Sequence, residues 1–172
     1  MEKGYVQVYT GDGKGKTTAA LGLALRAAGA GFKVYIGQFI KQGCYSELDA
    51  LKRYEDLITI EQFGTGRYIR GEPEEEDIAA ARKCLDAIRA AVVSGEYKLV
   101  IMDEAGVAEF FQLISAEDVA SVIAARPDDV ELVITGRRVS GEVQDRADLI
   151  TEMQAVKHYY EKGVLARKGI ES

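Results

Sequence analysis

The 172-residue sequence predicts an α/β sandwich, a mostly parallel central sheet between layers of helix. Three observations carry that prediction. Strand-like and helix-like segments alternate along the chain, a glycine-rich loop joins the first strand to the first helix, and residues 99–102 (Leu-Val-Ile-Met) form an unbroken apolar run. A strand that is apolar without alternation is covered on both faces, as the strands of a parallel sheet are.

Each element has its own local signal. Residues 5–9 (Tyr-Val-Gln-Val-Tyr) read as the first strand, and residues 19–28, rich in Ala and Leu, as the first helix, broken by Gly29 and Gly31. A second strand is expected over 33–40, and Ser46-Glu47-Leu48-Asp49 reads as a capping box opening a short helix. Residues 57–63 form a third strand that ends in the loop 64–68. Over 74–94 the apolar positions Ile78, Ala81, Leu85, Ile88 and Val92 step by three and four, the period of a helix with one buried face. The acidic run Glu72-Pro73-Glu74-Glu75-Glu76-Asp77 falls at its start, where carboxylates meet the helix dipole favourably. Ser115 caps a helix running to about Arg126, Pro127 stops it, and residues 130–135 make a further central strand. Residues 147–171 are mixed and carry no clear period. No linker, repeat or low-complexity tract interrupts the chain, so residues 1–172 are expected to form a single domain.

Composition excludes several classes of function. With 47% hydrophobic and 29% charged residues the chain reads as globular, not disordered. A net charge of −6 argues against a nucleic-acid surface, which needs a clustered basic face. No apolar run approaches membrane-spanning length, and because Met1-Glu2-Lys3-Gly4 leads straight into the first strand no signal peptide is expected. Cys44 and Cys84 lie far apart without metal-ligand spacing, which fits a reducing compartment, so a cytoplasmic protein is expected.

The chemistry concentrates in Thr10-Gly11-Asp12-Gly13-Lys14-Gly15-Lys16-Thr17-Thr18. A glycine loop between strand and helix, closing on Lys-Thr, is a phosphate-binding P-loop: backbone N–H groups form an anion nest and the helix N-terminus adds its positive end. Lys16 would reach the phosphates and the Thr17 hydroxyl would ligate Mg²⁺. The loop departs from the common spacing, because Thr10 stands where the first glycine is usual and glycines occupy 11 and 13. A tight Gly/Lys turn without function is the bland alternative, and it leaves the Lys-Thr-Thr at the helix start unexplained. The ammonium of Lys16 is expected to be solvated when no ligand is bound.

Asp103-Glu104, at the end of the run 99–102, has the Walker B pattern, and either acid could hold Mg²⁺. The competing reading is a solvent-facing acidic turn. Arg137 follows Thr135-Gly136 at the end of the next strand, placed to contact phosphate oxygens. Arg26, on the first helix, is a second candidate with a surface ion pair as its competitor. The one histidine, His158, carries no chemistry in this reading. No Ser/His or Cys/His nucleophilic arrangement is visible. The parts present clamp phosphates and a metal, and the fold they imply is P-loop NTPase-like, a RecA-like three-layer sandwich.

Several blocks together resemble one family, the ATP:corrinoid adenosyltransferases of the cob(I)alamin / cob(I)yrinic acid a,c-diamide type. The P-loop spelling from Thr10 to Ala20 with its displaced glycine is similar to that family's own, as are Gln38-Phe39-Ile40-Lys41, Asp103-Glu104, Ala125-Arg126-Pro127, Val133-Ile134-Thr135-Gly136-Arg137, Ala147-Asp148, Val156-Lys157-His158 and Lys168-Gly169-Ile170-Glu171. The resemblance implies transfer of the 5′-deoxyadenosyl group from ATP to the cobalt of a reduced corrinoid, releasing triphosphate, in adenosylcobalamin biosynthesis or salvage. It implies Lys16, Glu104 and Arg137 as catalytic residues and Gly11 to Thr18 as the triphosphate grip. Thr17 and Glu104, with Asp103 as a further candidate, would hold Mg²⁺ or Mn²⁺, and Arg137 and Arg26 would contact phosphate oxygens. Gln38, Lys41, Arg67, Tyr68 and Ile69 would face the corrinoid. An electron-donor protein or reductase and a homodimer are also implied.

Two departures stand out. Many members carry Gly-Phe-Thr-Trp in the loop after the third strand, where the aromatic pair packs on the corrinoid; here the stretch is Gly66-Arg67-Tyr68-Ile69, and Tyr68 or Ile69 is expected to take the apolar role. Some members also have an extension before the first strand, so any lid role it plays is expected to be absent here or to fall to another segment. A P-loop ATPase or small-molecule kinase, and a nucleotide-binding regulatory module, remain the alternatives. The products separate them: adenosylated corrinoid with triphosphate, ADP, or binding without turnover.

Overall fold

A computed structural model describes residues 1–69 and 71–171. Six strands form one sheet: β1 Val6–Thr10, β2 Val34–Gln38, β3 Ile58–Gln62, β4 Leu99–Asp103, β5 Glu131–Thr135 and β6 Leu149–Glu152. Their order across the sheet is β3-β2-β4-β5-β1-β6, and every neighbouring pair is parallel. Parallel neighbours require crossovers, and the helices between strands supply them: α1 Lys16–Gly29, α2 Ser46–Leu51, α3 Glu75–Val93, α4 Ala105–Phe110, α5 Ala116–Ala125 and α6 Gly141–Gln144.

Strand periodicity divides the core between two faces. In β4, Leu99 and Ile101 join Val34, Ile36 and Val133 beneath α1, whose Ala20, Ala24 and Ala28 recur at four-residue spacing. Val100 and Met102 point the other way, toward Leu85, Ile88 and Val92 of α3 and Val119 and Val122 of α5. Four consecutive β4 residues no more than 2% exposed explain the unbroken apolar run. Each contributes about 1.5–3 kcal/mol relative to exposure. The α1 stripe of alanines keeps that helix close to the sheet, so its N-terminus reaches the carboxyl edge where β1 delivers the glycine loop.

Local signals hold to different degrees. α3 starts with a capping box in which the Glu74 side chain accepts from the Asp77 amide and Asp77 returns the bond to the Glu74 amide. Ser115 caps α5 in the same way with Asp118. Ser46 does not cap α2: it is the first helical residue, the cap position is Tyr45, and no side chain caps it there. The mixed stretch after 147 contains β6, which pairs with β1 at the sheet's end. All four of its residues are exposed, so burial imposed no apolar pattern on them.

Candidate active site

Strand register assembles the site at the carboxyl edge of the sheet. β1, β4 and β5 end together there, and pairing sets Gln38 of β2 beside Asp103 of β4. Asp103 is 1% exposed and fully engaged. Its Oδ1 accepts from Thr17 Oγ1 at 2.9 Å and Thr135 Oγ1 at 2.7 Å. Its Oδ2 accepts from Gln38 Nε2 at 2.8 Å and Lys41 Nζ at 3.0 Å. Burying a carboxylate is costly unless its oxygens are partnered in this way. Thr135, which the motif reading passed over, also accepts the Glu104 amide at 2.9 Å and so orients both acids.

Glu104 differs from its neighbour. It caps α4 in the left-handed region at φ 62°, a conformation that costs a non-glycine residue about 1–2 kcal/mol. Its half-buried carboxylate lines the cleft and enters no hydrogen bond or ion pair among the described residues. Desolvation first, then the charge of Asp103, raise its pKa above the ordinary carboxylate value. Gly136 makes this turn possible, because a Cβ there would lie 2.6 Å from the Gly106 nitrogen.

The glycine loop is braced from within. Lys16 is only 7% exposed, and its ammonium donates to Gly11 O at 2.6 Å and Gly13 O at 2.7 Å. The expected solvated head group is therefore corrected: the loop's own carbonyls hold the ammonium. Burial, with the charge of Arg137, lowers the Lys16 pKa. The displaced glycines have a structural cause as well. Met153 O accepts from Gly13 N at 2.6 Å, and a Cβ on Gly11 or Gly13 would fall 2.5 or 2.6 Å from that same oxygen. The segment following β6 thus lies flat on the loop.

The C-terminal tail closes the far side, a feature that no period in the sequence announced. Lys14 Nζ donates to Tyr159 Oη at 3.0 Å and Glu171 Oε1 at 2.8 Å, and Tyr159 and Arg167 also donate to Glu171. Between tail, loop, α1 and α2 runs a cleft of about 810 Å³. Lys16, Thr17, Glu104 and Arg137 converge on it, and Leu21 and Leu25 of α1 give it an apolar wall. Thr10 ends β1 at the base of the loop, exposed Asp12 acts electrostatically on Lys16, and Thr18 lines the cleft. Arg26 lies ten residues along α1 from Lys16, roughly 15 Å down the axis, exposed and not among the cleft-lining residues.

The expected corrinoid residues separate into groups. Gln38 and Lys41 both donate to Asp103 Oδ2. Arg67 is anchored to the start of α3 by Glu74, Glu76 and Asp77. Ile69 packs against the core, while Tyr68 is 86% exposed. Their loop is joined to the end of β2: Gly64 N donates to Lys41 O at 3.1 Å and Phe63 N to Gln38 O at 3.0 Å.

Among the described residues no three His, Cys, Asp or Glu side chains gather as a metal site. Thr17, Asp103 and Glu104 are hard oxygen donors, too few to complete a shell alone. That suits Mg²⁺, which keeps waters and takes oxygens from the phosphates it accompanies. No helix among the described residues is long and apolar enough to cross a membrane.

A loop shaped for polyphosphate after β1, faced by acids at the end of β4 two places along the same parallel sheet, puts the molecule in the P-loop nucleotide-binding class. The family described as ATP:corrinoid adenosyltransferase BtuR/CobO/CobP matches residues 2–172, and the chain belongs to it. It is 32% identical to the corrinoid adenosyltransferase of Pseudomonas aeruginosa, across 99% of this chain and 84% of that one. The corrinoid adenosyltransferase of Escherichia coli K12 is 32% identical and that of Salmonella typhimurium, CobA, 33%, each across 99% of this chain and 86% of the relative.

Proposed function

We propose that this chain transfers the 5′-deoxyadenosyl group of ATP to the cobalt of a reduced corrinoid and releases triphosphate. The supporting observation is the convergence of Lys16, Thr17, Glu104 and Arg137 on one cleft in a chain that matches the adenosyltransferase family over nearly its whole length. The Co(I) electron pair attacks C5′, the C5′–O bond breaks, and its electrons leave on the triphosphate oxygen. Cobalt becomes formally Co(III), and no proton has to move. A nucleophile that needs no base leaves the protein two tasks, positioning the ribose carbon and stabilising the departing charge.

The residues suit both tasks. The free amides at the start of α1 and its dipole hold phosphate oxygens. Lys16 exchanges its carbonyl partners for the triphosphate, and Arg137 adds a second cation from the β5 edge. Thr17 and Glu104 would ligate Mg²⁺, whose contribution is charge neutralisation on the leaving group, while Asp103 holds the Thr17 hydroxyl in place. Tyr68, at the tip of a loop tied to the Lys41 segment, presents an aromatic ring for the corrinoid. A homodimer, an external electron donor and a cytoplasmic setting complete the reading; the two unpaired cysteines agree with the last.

The test is to mix the protein, MgATP and chemically reduced cobalamin without oxygen and follow the corrinoid spectrum. A photolabile alkyl-cobalt product is expected. ADP formation with an unchanged corrinoid would instead support the kinase or ATPase alternative.

A further inference from the structure

The metal seat described above holds a cation that belongs to the chain. Lys41 Nζ lies 3.0 Å from Asp103 Oδ2 and 3.1 Å from Thr17 Oγ1. A hydroxyl has one proton and two lone pairs, and Thr17 commits its proton to Asp103 Oδ1. A metal on Thr17 Oγ1 would therefore share that oxygen with the Lys41 ammonium, 3.1 Å away. Two cations so close repel strongly in a partly buried site, so ammonium and divalent cation compete for the seat.

We propose that Lys41 is a resident counter-cation that occupies the divalent-metal seat and is exchanged for the metal only when it arrives with nucleotide phosphate. This rests on the proposed role of Thr17 as a metal ligand. Without nucleotide, the ammonium neutralises buried Asp103 and keeps a free metal ion from Thr17, leaving it Glu104 alone. With nucleotide, the phosphate oxygens supply the remaining ligands, and an added anion attracts the displaced ammonium. Its side chain is 16% exposed, and its Nζ stands 5.7 Å from the centre of the Tyr45 ring, which lines the cleft. Asp103, Glu104 and Glu47 are the acids acting on it. The exit therefore leads into the cleft, and Lys41 ends beside the leaving group it helped to admit.

The experiment measures Mn²⁺ binding by electron paramagnetic resonance with and without ATP. Wild-type protein should bind Mn²⁺ weakly alone and tightly with ATP. Lys41→Met should bind Mn²⁺ without nucleotide at least tenfold more tightly than wild type, and adding Asp103→Asn should remove the gain. Lys41→Arg, which keeps the charge, should stay weak. Unchanged or weaker nucleotide-free binding by Lys41→Met overturns the exchange, as does failure of ATP to enhance wild-type binding. A measurement without substitution checks the same point: the Lys41 ε-methylene resonance should move with MgATP and stay put with Mg²⁺ alone. A signal unmoved by MgATP also overturns it. None of these readouts involves a corrinoid, so failure of adenosyl transfer would register separately.

Discussion

Lys16 serves the loop first and the ligand second. Its bonds to Gly11 O and Gly13 O mean that Lys16→Ala removes internal bracing as well as phosphate binding. The variant should lose turnover and also about 1–3 kcal/mol of stability, the worth of hydrogen bonds from a charged donor. Chemical denaturation checks the second part, and an unaltered midpoint would show that the bracing contributes nothing. Tyr68→Ala should lower kcat/KM for the corrinoid about tenfold, equivalent to about 1.4 kcal/mol, with KM for ATP unchanged. Equal turnover by variant and wild type would remove the loop from the corrinoid site. At this scale Lys16, Thr17 and the acid pair were legible because their spacing is a motif. Thr135 was not, since one hydroxyl at a strand end has meaning only once β4 and β5 are in register. Asp103 and Glu104 were indistinguishable as letters; burial and backbone conformation separate them.

Between elements, the decisive contact lies between the glycine loop and the segment after β6. Gly13→Ala would place a methyl group 2.6 Å from Met153 O, where backbone has to shift. A loss of about 2 kcal/mol or more is expected, from overpacking and the strained Gly13–Met153 hydrogen bond together. A normal melting temperature with impaired nucleotide binding would mean that the glycine serves phosphate alone. The tail contributes through Glu171, whose carboxyl is held far below its ordinary value by hydrogen bonds from Arg167, then Lys14 and Tyr159. A depressed carboxylate contributes fully above its unfolded value near 4.5 and less as pH falls below it, so the clasp is complete at neutral pH. Glu171→Gln should speed tryptic cleavage at Arg167 and Lys168 and raise KM for ATP several-fold; unchanged cleavage would show that other contacts hold the tail. None of this was readable from period, because β6 is exposed on every residue and the tail is held by side-chain bonds.

Across the whole molecule the α/β architecture was legible for a simple reason. Parallel strands buried on both faces must be apolar throughout, and crossover helices must carry one apolar stripe, so burial writes itself into the sequence. Strand order and the sixth strand were not legible, since neither alters local composition. The sheet brings β1, β4 and β5 together at one edge, and loop, acids and Arg137 follow from that order. What this edge grips decides the chemistry, a leaving triphosphate or a phosphoryl group in transit. The most direct measurement supplies [5′-¹³C]ATP with reduced cobalamin without oxygen and follows the label and all three phosphorus atoms. The label should appear in a cobalt-bound methylene with one intact triphosphate released per adenosyl group transferred. Label retained in ADP, with a single phosphate removed, would contradict the account.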